Sequence, residues 1–493
     1  MPDDRAEINS VEKVTALLVS AYPTGCPAVM MEMSSDNTMD NGKQWSARSQ
    51  VQEDAYLWKD ITTTDNDTPQ DIWNNHYLAV AAANQVLAAI EEMGNPENLQ
   101  AQKGEALLCR AYSMFAMSNV FCLPYNPDTA GKDFGLPYPE KPETQVLGQY
   151  ERGTMAELYE KIDNDIKAGL ALVNDQIYTV PKYHFNKKAA YAFAARFNLY
   201  YQKPDKVIEY ANVVLGNNAE AALRNWYAIY SAASDVSLRV NMYVNDSENA
   251  NLLIMPTYSP WAYMHGPYNQ GRRYGNSRTL FMNESARVTG LWGVYTNRFY
   301  PAASVWGYEE KFSMAKISIG YFEYTDKVQG IGYVHTMTVP LTADETLLCR
   351  AEAYILKKDY ANAVADINAW IHTHSVEKKM FTQDEIVDFY DKQTYMPTVP
   401  ASATDRKIKK KINPQGFTIE AGVQENLIQC ILHLRRIETM HEGLRWQDIK
   451  RYGIEISHNR DGLTPDILTV NDLRRAIQIP QDVISAGLTA NPR

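Results

Sequence analysis

Tyr258, Trp261, Tyr263, Tyr268 and Tyr274 fall within 17 residues, and Trp292, Tyr295, Tyr300, Trp306 and Tyr308 follow. Tyrosine and tryptophan combine a flat apolar face with a polar edge. Such rings stack on the C–H faces of sugars, while Arg, Asn and Gln bind hydroxyls. Asn269, Arg272, Arg273 and Asn276 lie among them. The expected chemistry is recognition of a carbohydrate or another flat polar ligand. Tyr258, Trp261, Tyr263, Tyr268, Arg272, Tyr274, Trp292 and Trp306 are the candidate ligand-binding residues. The competing expectation is that many of these rings merely pack loops onto the rest of the molecule.

Catalytic patterns are weaker. Glu438 and Glu442 stand i,i+4 on a predicted helix, about 6 Å apart at their Cβ atoms, which would suit a glycosidase carboxylate pair. Arg435, Arg436, Arg445, Arg451 and Asp448 surround them, so a structural ion-pair lattice is expected instead. His372 and His374, two residues apart on a helix, diverge too far to share a metal. Asp65-Asn66-Asp67 has Gln70 and His76 where a calcium loop needs Gly and Glu. In Gly266–Gly271, Arg272 replaces the lysine of a P-loop. No GxSxG, HExxH or dinucleotide fingerprint occurs, and no catalytic residue, metal or cofactor is expected.

The chain has 493 residues, 45% hydrophobic and 22% charged, which excludes wholesale disorder. Its 59 acidic and 48 basic residues give a net charge of −11. That balance disfavours nucleic acid and anionic membrane surfaces as partners. The basic run Arg406 to Lys411 reads as a solvated loop. No apolar run is long enough for a transmembrane helix. The five cysteines are odd in number and lack a CxxC, so buried free thiols are expected. Met1-Pro2-Asp3-Asp4 is acidic with no apolar leader, which fits a cytosolic protein or a mature form.

The elements that must position these residues are mostly helical. Thr68 caps, Pro69 suits a first helical position, and apolar spacing runs through Trp73, Tyr77, Val80, Leu87 and Ile90 until Gly94-Asn95-Pro96. Gly104 to Phe121 is apolar on two sides and must be covered on both. Pro124 to Pro142 reads as a long loop. Helix pairs follow at Lys188–Tyr201 with Asp205–Leu215, and around Leu347–Tyr354 with Ala363–Trp370. Small Ala351 and Ala363 permit close approach, the tetratricopeptide logic. Thr342 and Glu345 read as a reciprocal capping box. Glu105-Ala106-Leu107-Leu108-Cys109-Arg110-Ala111 recurs as Glu345 to Ala351 with six of seven positions identical. Between residues 218 and 339 the helical period fades. Val236, Leu238, Val240, Met242 and Val244 alternate as in a strand, and Asn251–Thr257 reads as another. A loop-rich stretch of this length is usually functional.

Several segments together resemble the SusD/RagB-like outer-membrane nutrient-binding lipoproteins of Bacteroidetes. Glu105 to Phe115 looks like that family's E-A-x-F-L-R-A-x-x-Y-F helix, and Gly135-Leu136-Pro137 like its G-V-P loop. Leu252-Leu253-Ile254 looks like its E-I-I-F strand, and Glu345 to Tyr354 like its E-v-x-L-x-x-A-E-A helix. Arg435 to Gly453 looks like its E-R-R-x-E-L-x-F-E-G-x-R-W-x-D-L-x-R-x-G stretch, and Ile479-Pro480 with Asn491-Pro492 like its C-terminal motif. Leu434 and Thr439 depart from the pattern. The resemblance implies a mainly α fold, with tetratricopeptide-like helix pairs in a right-handed scaffold over residues 1–217 and 340–493. The loop-rich ligand region, with a few short strands, is expected at 218–339 of one unit. It implies a non-catalytic, surface-exposed outer-membrane lipoprotein that binds oligosaccharide and delivers it to a SusC-type TonB-dependent transporter. The family's N-terminal lipid anchor is expected to lie outside this sequence. A peptide-binding member of the same family, or an intracellular tetratricopeptide scaffold, is the alternative. The matching motifs are structural, so no binding residue is transferred by them.

Overall fold

The structure is a computed structural model describing residues 7–143, 150–265, 271–317 and 320–493. It is mainly helical. The helices that matter below are α1 (Ala28–Ser34), α2 (Pro69–Glu92), α3 (Gln100–Phe121), α4 (Met155–Leu172), α5 (Lys187–Tyr200) and α6 (Pro204–Leu215). They continue as α7 (Val236–Tyr243), α8 (Ala343–Leu356), α9 (Tyr360–His374), α10 (Val423–Glu438) and α11 (Leu444–Arg451). Strands β1 (Asn251–Tyr258), β2 (Val305–Tyr308), β3 (Lys311–Met314), β4 (Tyr321–Asp326) and β5 (Ile331–Thr342) lie among them. β5 is the centre of a three-stranded antiparallel sheet flanked by β1 and β4, and β2 pairs with β3.

The helices form tetratricopeptide-like pairs whose limits follow from their ends. The Thr68 hydroxyl accepts from the Asp71 amide at 3.1 Å, and α2 stops before Gly94, at φ 84°. α3 is buried along both its faces between α2 and α4, as its double stripe requires. Gly104 and Gly169 make the α3–α4 approach possible. A Cβ on Gly104 would sit 3.0 Å from the Gly169 carbonyl oxygen, and one on Gly169 would sit 2.7 Å from Leu108 Cγ. α8 packs on α6, α9 and α10, with Ala351 and Ala363 fully buried. All five cysteines are free and buried.

Three local expectations are corrected. Residues 236–243 are helical, not extended. The Asp235 carboxylate accepts from the Leu238 amide at 3.0 Å, and Val236, Val240 and Val244 also form an i,i+4 stripe. Thr342 caps α8 through the Glu345 amide at 3.1 Å, but Glu345 does not return the bond. Its carboxylate is drawn to Arg196 at 3.2 Å and Arg435 at 3.3 Å. The basic run is not a solvated loop: Arg406, Lys409 and Lys410 are buried. Glu284 binds Arg406 at 2.7 Å and Lys410 at 2.6 Å, and it also takes Arg436 at 2.7 Å.

The late arginine-rich stretch does form a lattice. Arg435 reaches Asp448 at 3.1 Å, Arg445 reaches Asp36 just beyond α1 at 2.8 Å, and Arg451 meets Glu352 at 2.5 Å. Burial pushes the Glu284 carboxyl up, but Lys410, Arg436 and Arg406 outweigh it and hold it below the ordinary range. Removing one partner from such a buried group costs about 3–5 kcal/mol, because the other is left unpaired. The lattice therefore ties α1 and α10 to one relative placement.

Candidate functional site

The sequence singled out eight residues, and the structure divides them. Trp292 is fully buried, its ring stacked on Phe299 at 3.9 Å between centroids. Tyr274 is 1% exposed and packs on Tyr56 at 4.7 Å. Trp261 is 4% exposed and lines a partly open pocket of about 120 Å³ beside Met255, Met337 and Met440. The Trp292 and Tyr274 rings are occupied by packing, which corrects their expected role in the ligand site, whereas Trp261 is buried in the wall of that pocket. Of the neighbouring polar residues, Asn276 is also interior and donates to the Asn37 carbonyl at 2.8 Å. Tyr268 and Asn269 lie outside the described residues.

Tyr258, Tyr263, Arg272 and Trp306 stay partly exposed, and their local contact groups together are the aromatic band. Tyr258 meets His335 edge-on at 4.3 Å, across the β1–β5 pairing that sets them opposite each other. His335 in turn reaches Glu323 at 2.7 Å. The Arg48 guanidinium lies 5.1 Å over the Tyr263 ring. Beyond it, the Arg272 guanidinium sits 4.2 Å from the Tyr308 centroid and 4.9 Å from that of Trp45. Tyr308 is 51% exposed. Trp306 and Tyr308, two apart on β2, project to the same side of the β2–β3 hairpin.

Backbone bonds fix this arrangement. The Asn41 amide donates to the Arg273 carbonyl at 2.7 Å, and Asn41 Nδ2 donates to the Arg272 carbonyl at 2.9 Å. Arg273 is anchored from the other side by Asp40 at 3.3 Å. The loop bearing Trp45 is thereby locked against the segment bearing Arg272. Trp45 was missed because it precedes the aromatic cluster by some two hundred residues. The available signal was an isolated Trp in the polar run Gly42-Lys43-Gln44-Trp45-Ser46. Such an arrangement offers stacking faces and guanidinium donors, which suits a flat polyhydroxylated ligand.

Glu438 and Glu442 are engaged elsewhere, though their partners are not the expected arginines. Glu438 accepts from Trp370 Nε1 at 3.0 Å and meets His374 Nε2 at 2.8 Å. Glu442 pairs with Lys316 at 2.6 Å. His372 and His374 diverge as expected, with His372 turned to Glu220 at 3.0 Å.

Comparison with known proteins bears on the fold. A family model described as SusD-like, starch-binding associating with outer membrane, matches residues 1–199. A SusD superfamily protein from Bacteroides thetaiotaomicron shares 18% identity over 98% of this chain and 100% of its own, with a TM-score of 0.64. One from Bacteroides vulgatus shares 17% over 97% of each chain, also at 0.64. A SusD-like carbohydrate binding protein from Bacteroides vulgatus shares 13% over 97% of this chain and 96% of its own, at 0.65. No curated protein matches. The chain is thus similar to SusD-like proteins over residues 1–199 and shares the fold of SusD superfamily structures along nearly its whole length.

Proposed function

We propose that this protein binds a glycan at the outer membrane and does not cleave it. The carrying observation is the Arg272 guanidinium held between the partly exposed rings of Trp45 and Tyr308. Rings in that position take the apolar faces of successive sugars, while guanidinium N–H groups orient the hydroxyls. The family description, starch-binding and outer-membrane associated, supports the reading, as does the carbohydrate binding relative. The ligand region of this reading is residues 218–339 together with the loop of Trp45, carried by the surrounding helices. The glycan is then handed to a SusC-type TonB-dependent transporter, with the protein held at the cell surface by a lipid anchor. A second contact to the same chain supplied by the transporter raises the effective affinity by roughly 10²–10⁴.

Affinity electrophoresis against starch and a panel of other polysaccharides tests this directly. Tyr308→Ala and Trp45→Ala are expected to weaken binding at least about tenfold, or about 1.4 kcal/mol, with unchanged circular dichroism. The reading fails if substitution of Trp45, Arg272, Trp306 and Tyr308 leaves retardation intact, if reducing sugar is released, or if only peptides bind.

A further inference from the structure

Three side chains meet deep in the helical frame, away from the aromatic band. Asp344 opens α8, His374 closes α9 and Glu438 closes α10. They are 0%, 0% and 3% exposed, and a ligand atom from each lies within 4.8 Å of the other two. His374 Nδ1 faces the Trp370 carbonyl at 2.8 Å, so that nitrogen carries a proton. In the neutral ring Nε2 is then a lone pair, yet it faces Glu438 Oε2 at 2.8 Å. Two acceptors at that distance require a shared proton or a metal ion between them.

The surroundings distinguish a proton from a metal ion. Asp344 Oδ1 lies 4.0 Å from the same Nε2 and accepts the Arg224 backbone amide at 3.1 Å. Asp344 Oδ2 and Glu438 Oε1 are buried without a partner. The nearby cations point elsewhere. The Arg224 guanidinium donates to the Tyr243 carbonyl at 2.9 Å and to Asn251 Oδ1 at 2.7 Å. The Lys316 ammonium is directed at Glu442 and at the Glu438 backbone carbonyl. Among the described residues, His374 is the sole ion-pair partner of either carboxylate. A proton on Nε2 serves Glu438, and the Arg224 guanidinium acts on both carboxylates through its field, but neither supplies a donor to the two orphaned oxygens. A divalent cation neutralises both and uses the orphaned oxygens.

We propose that Asp344, His374 and Glu438 form a buried structural site for a divalent cation of the zinc class, clamping the ends of α8, α9 and α10. One imidazole and two carboxylates are a zinc-type donor set. The Trp370 carbonyl on Nδ1 and the Trp370 indole on Glu438 supply the orienting contacts that such ligands need. Because the site is sealed, the ion enters while the chain folds.

The full chain, unfolded and refolded with Zn²⁺, Co²⁺ or EDTA and then desalted, tests this. About one Zn²⁺ per chain by elemental analysis, a Co²⁺ d–d absorption band and a lower melting temperature after EDTA are expected. His374→Gln and Glu438→Gln should abolish the Co²⁺ band while circular dichroism confirms the fold. If either variant fails to fold, the wild-type occupancy and Co²⁺ spectrum decide alone. Occupancy far below one per chain overturns the proposal. So does binding that survives His374→Gln, or an NMR spectrum of the zinc-refolded chain with protons on both His374 nitrogens.

Discussion

α3 and α8 carry nearly the same heptapeptide, and the structure uses its arginine identically and its glutamate differently. Arg110 of α3 forks onto Asp165 of α4 at 2.6 and 2.7 Å and reaches Asn84 of α2 at 2.8 Å. Arg350 of α8 forks onto Asp366 of α9 at 2.9 and 2.6 Å and reaches Asn212 of α6 at 2.8 Å. In both places one guanidinium staples its own helix to the following one and to an earlier one, and its planar fork fits the carboxylate bidentately. The glutamates part company. Glu105 is held by Tyr22 at 2.5 Å, Tyr178 at 3.0 Å and His184 at 2.9 Å, all from outside the labelled helices. Glu345 is held by Arg196 and Arg435, both from helices. The arginine serves the helix-pair geometry that recurs; the glutamate serves what each copy packs against.

The largest expected effect breaks the shared part. Arg110→Ala and Arg350→Ala should each cost about 3–5 kcal/mol by leaving a buried aspartate unpaired. Urea denaturation should give the two values within about 1 kcal/mol of each other. A much smaller loss in one copy would end the equivalence.

The next effect sharpens the divergent part. Glu345→Gln should cost about 2–3 kcal/mol, since it removes a charged bond shared by two guanidiniums. Burial pushes the Glu345 carboxyl up, but Arg196 and Arg435 outweigh it and keep it below the ordinary range. A carboxyl so lowered stabilises the fold above its unfolded value, near 4.3, and loses that contribution as pH falls through its folded value. The gap between wild type and Glu345→Gln should therefore narrow as denaturation is repeated below about pH 4.

A helix packed on each copy also carries a buried histidine. Burial pushes His76 of α2 down to about 3, and burial with the nearby Arg436 pushes His433 of α10 down to about 3. Between about pH 6.5 and 3 the unfolded chain protonates these rings and the folded chain does not, so stability falls as pH falls. His433→Asn should make that acid slope shallower by about 1.4 kcal/mol per pH unit. His76→Asn should do the same if the two copies are alike at this level too.

The repeated helices were legible because their signals are local: Thr68 with Pro69, the double stripe of α3, and the heptapeptide itself. The fate of Glu345 was not, because its partners Arg196 and Arg435 lie far away in sequence and compete with a local cap. Nor was the burial of Arg406 and Lys410, since Glu284 lies more than a hundred residues earlier. In the aromatic region the sequence supplied the ring chemistry but not which faces were covered. Trp292 and Tyr274 have the same residue types as the exposed rings, yet Phe299 and Tyr56 stack on them. The band was half visible, because Arg272 and Trp306 fall inside the aromatic cluster while Trp45 does not.

The smallest expected effect on stability lies in that band. Trp45 sits in a short loop held by the Asn41 bonds to Arg272 and Arg273, which involve neither the Trp45 ring nor Tyr308. Trp45→Ala and Tyr308→Ala remove ring faces that lie against the Arg272 guanidinium near the surface, so each should shift unfolding by no more than about 0.5 kcal/mol. Trp292→Ala, by contrast, opens a cavity beside Phe299 and should cost about 3–5 kcal/mol. Equal losses at Trp45 and Trp292 would mean that the band is packing after all. A near-zero loss at Trp45 with weakened glycan binding would separate a frame that holds its shape from a surface that takes up the ligand.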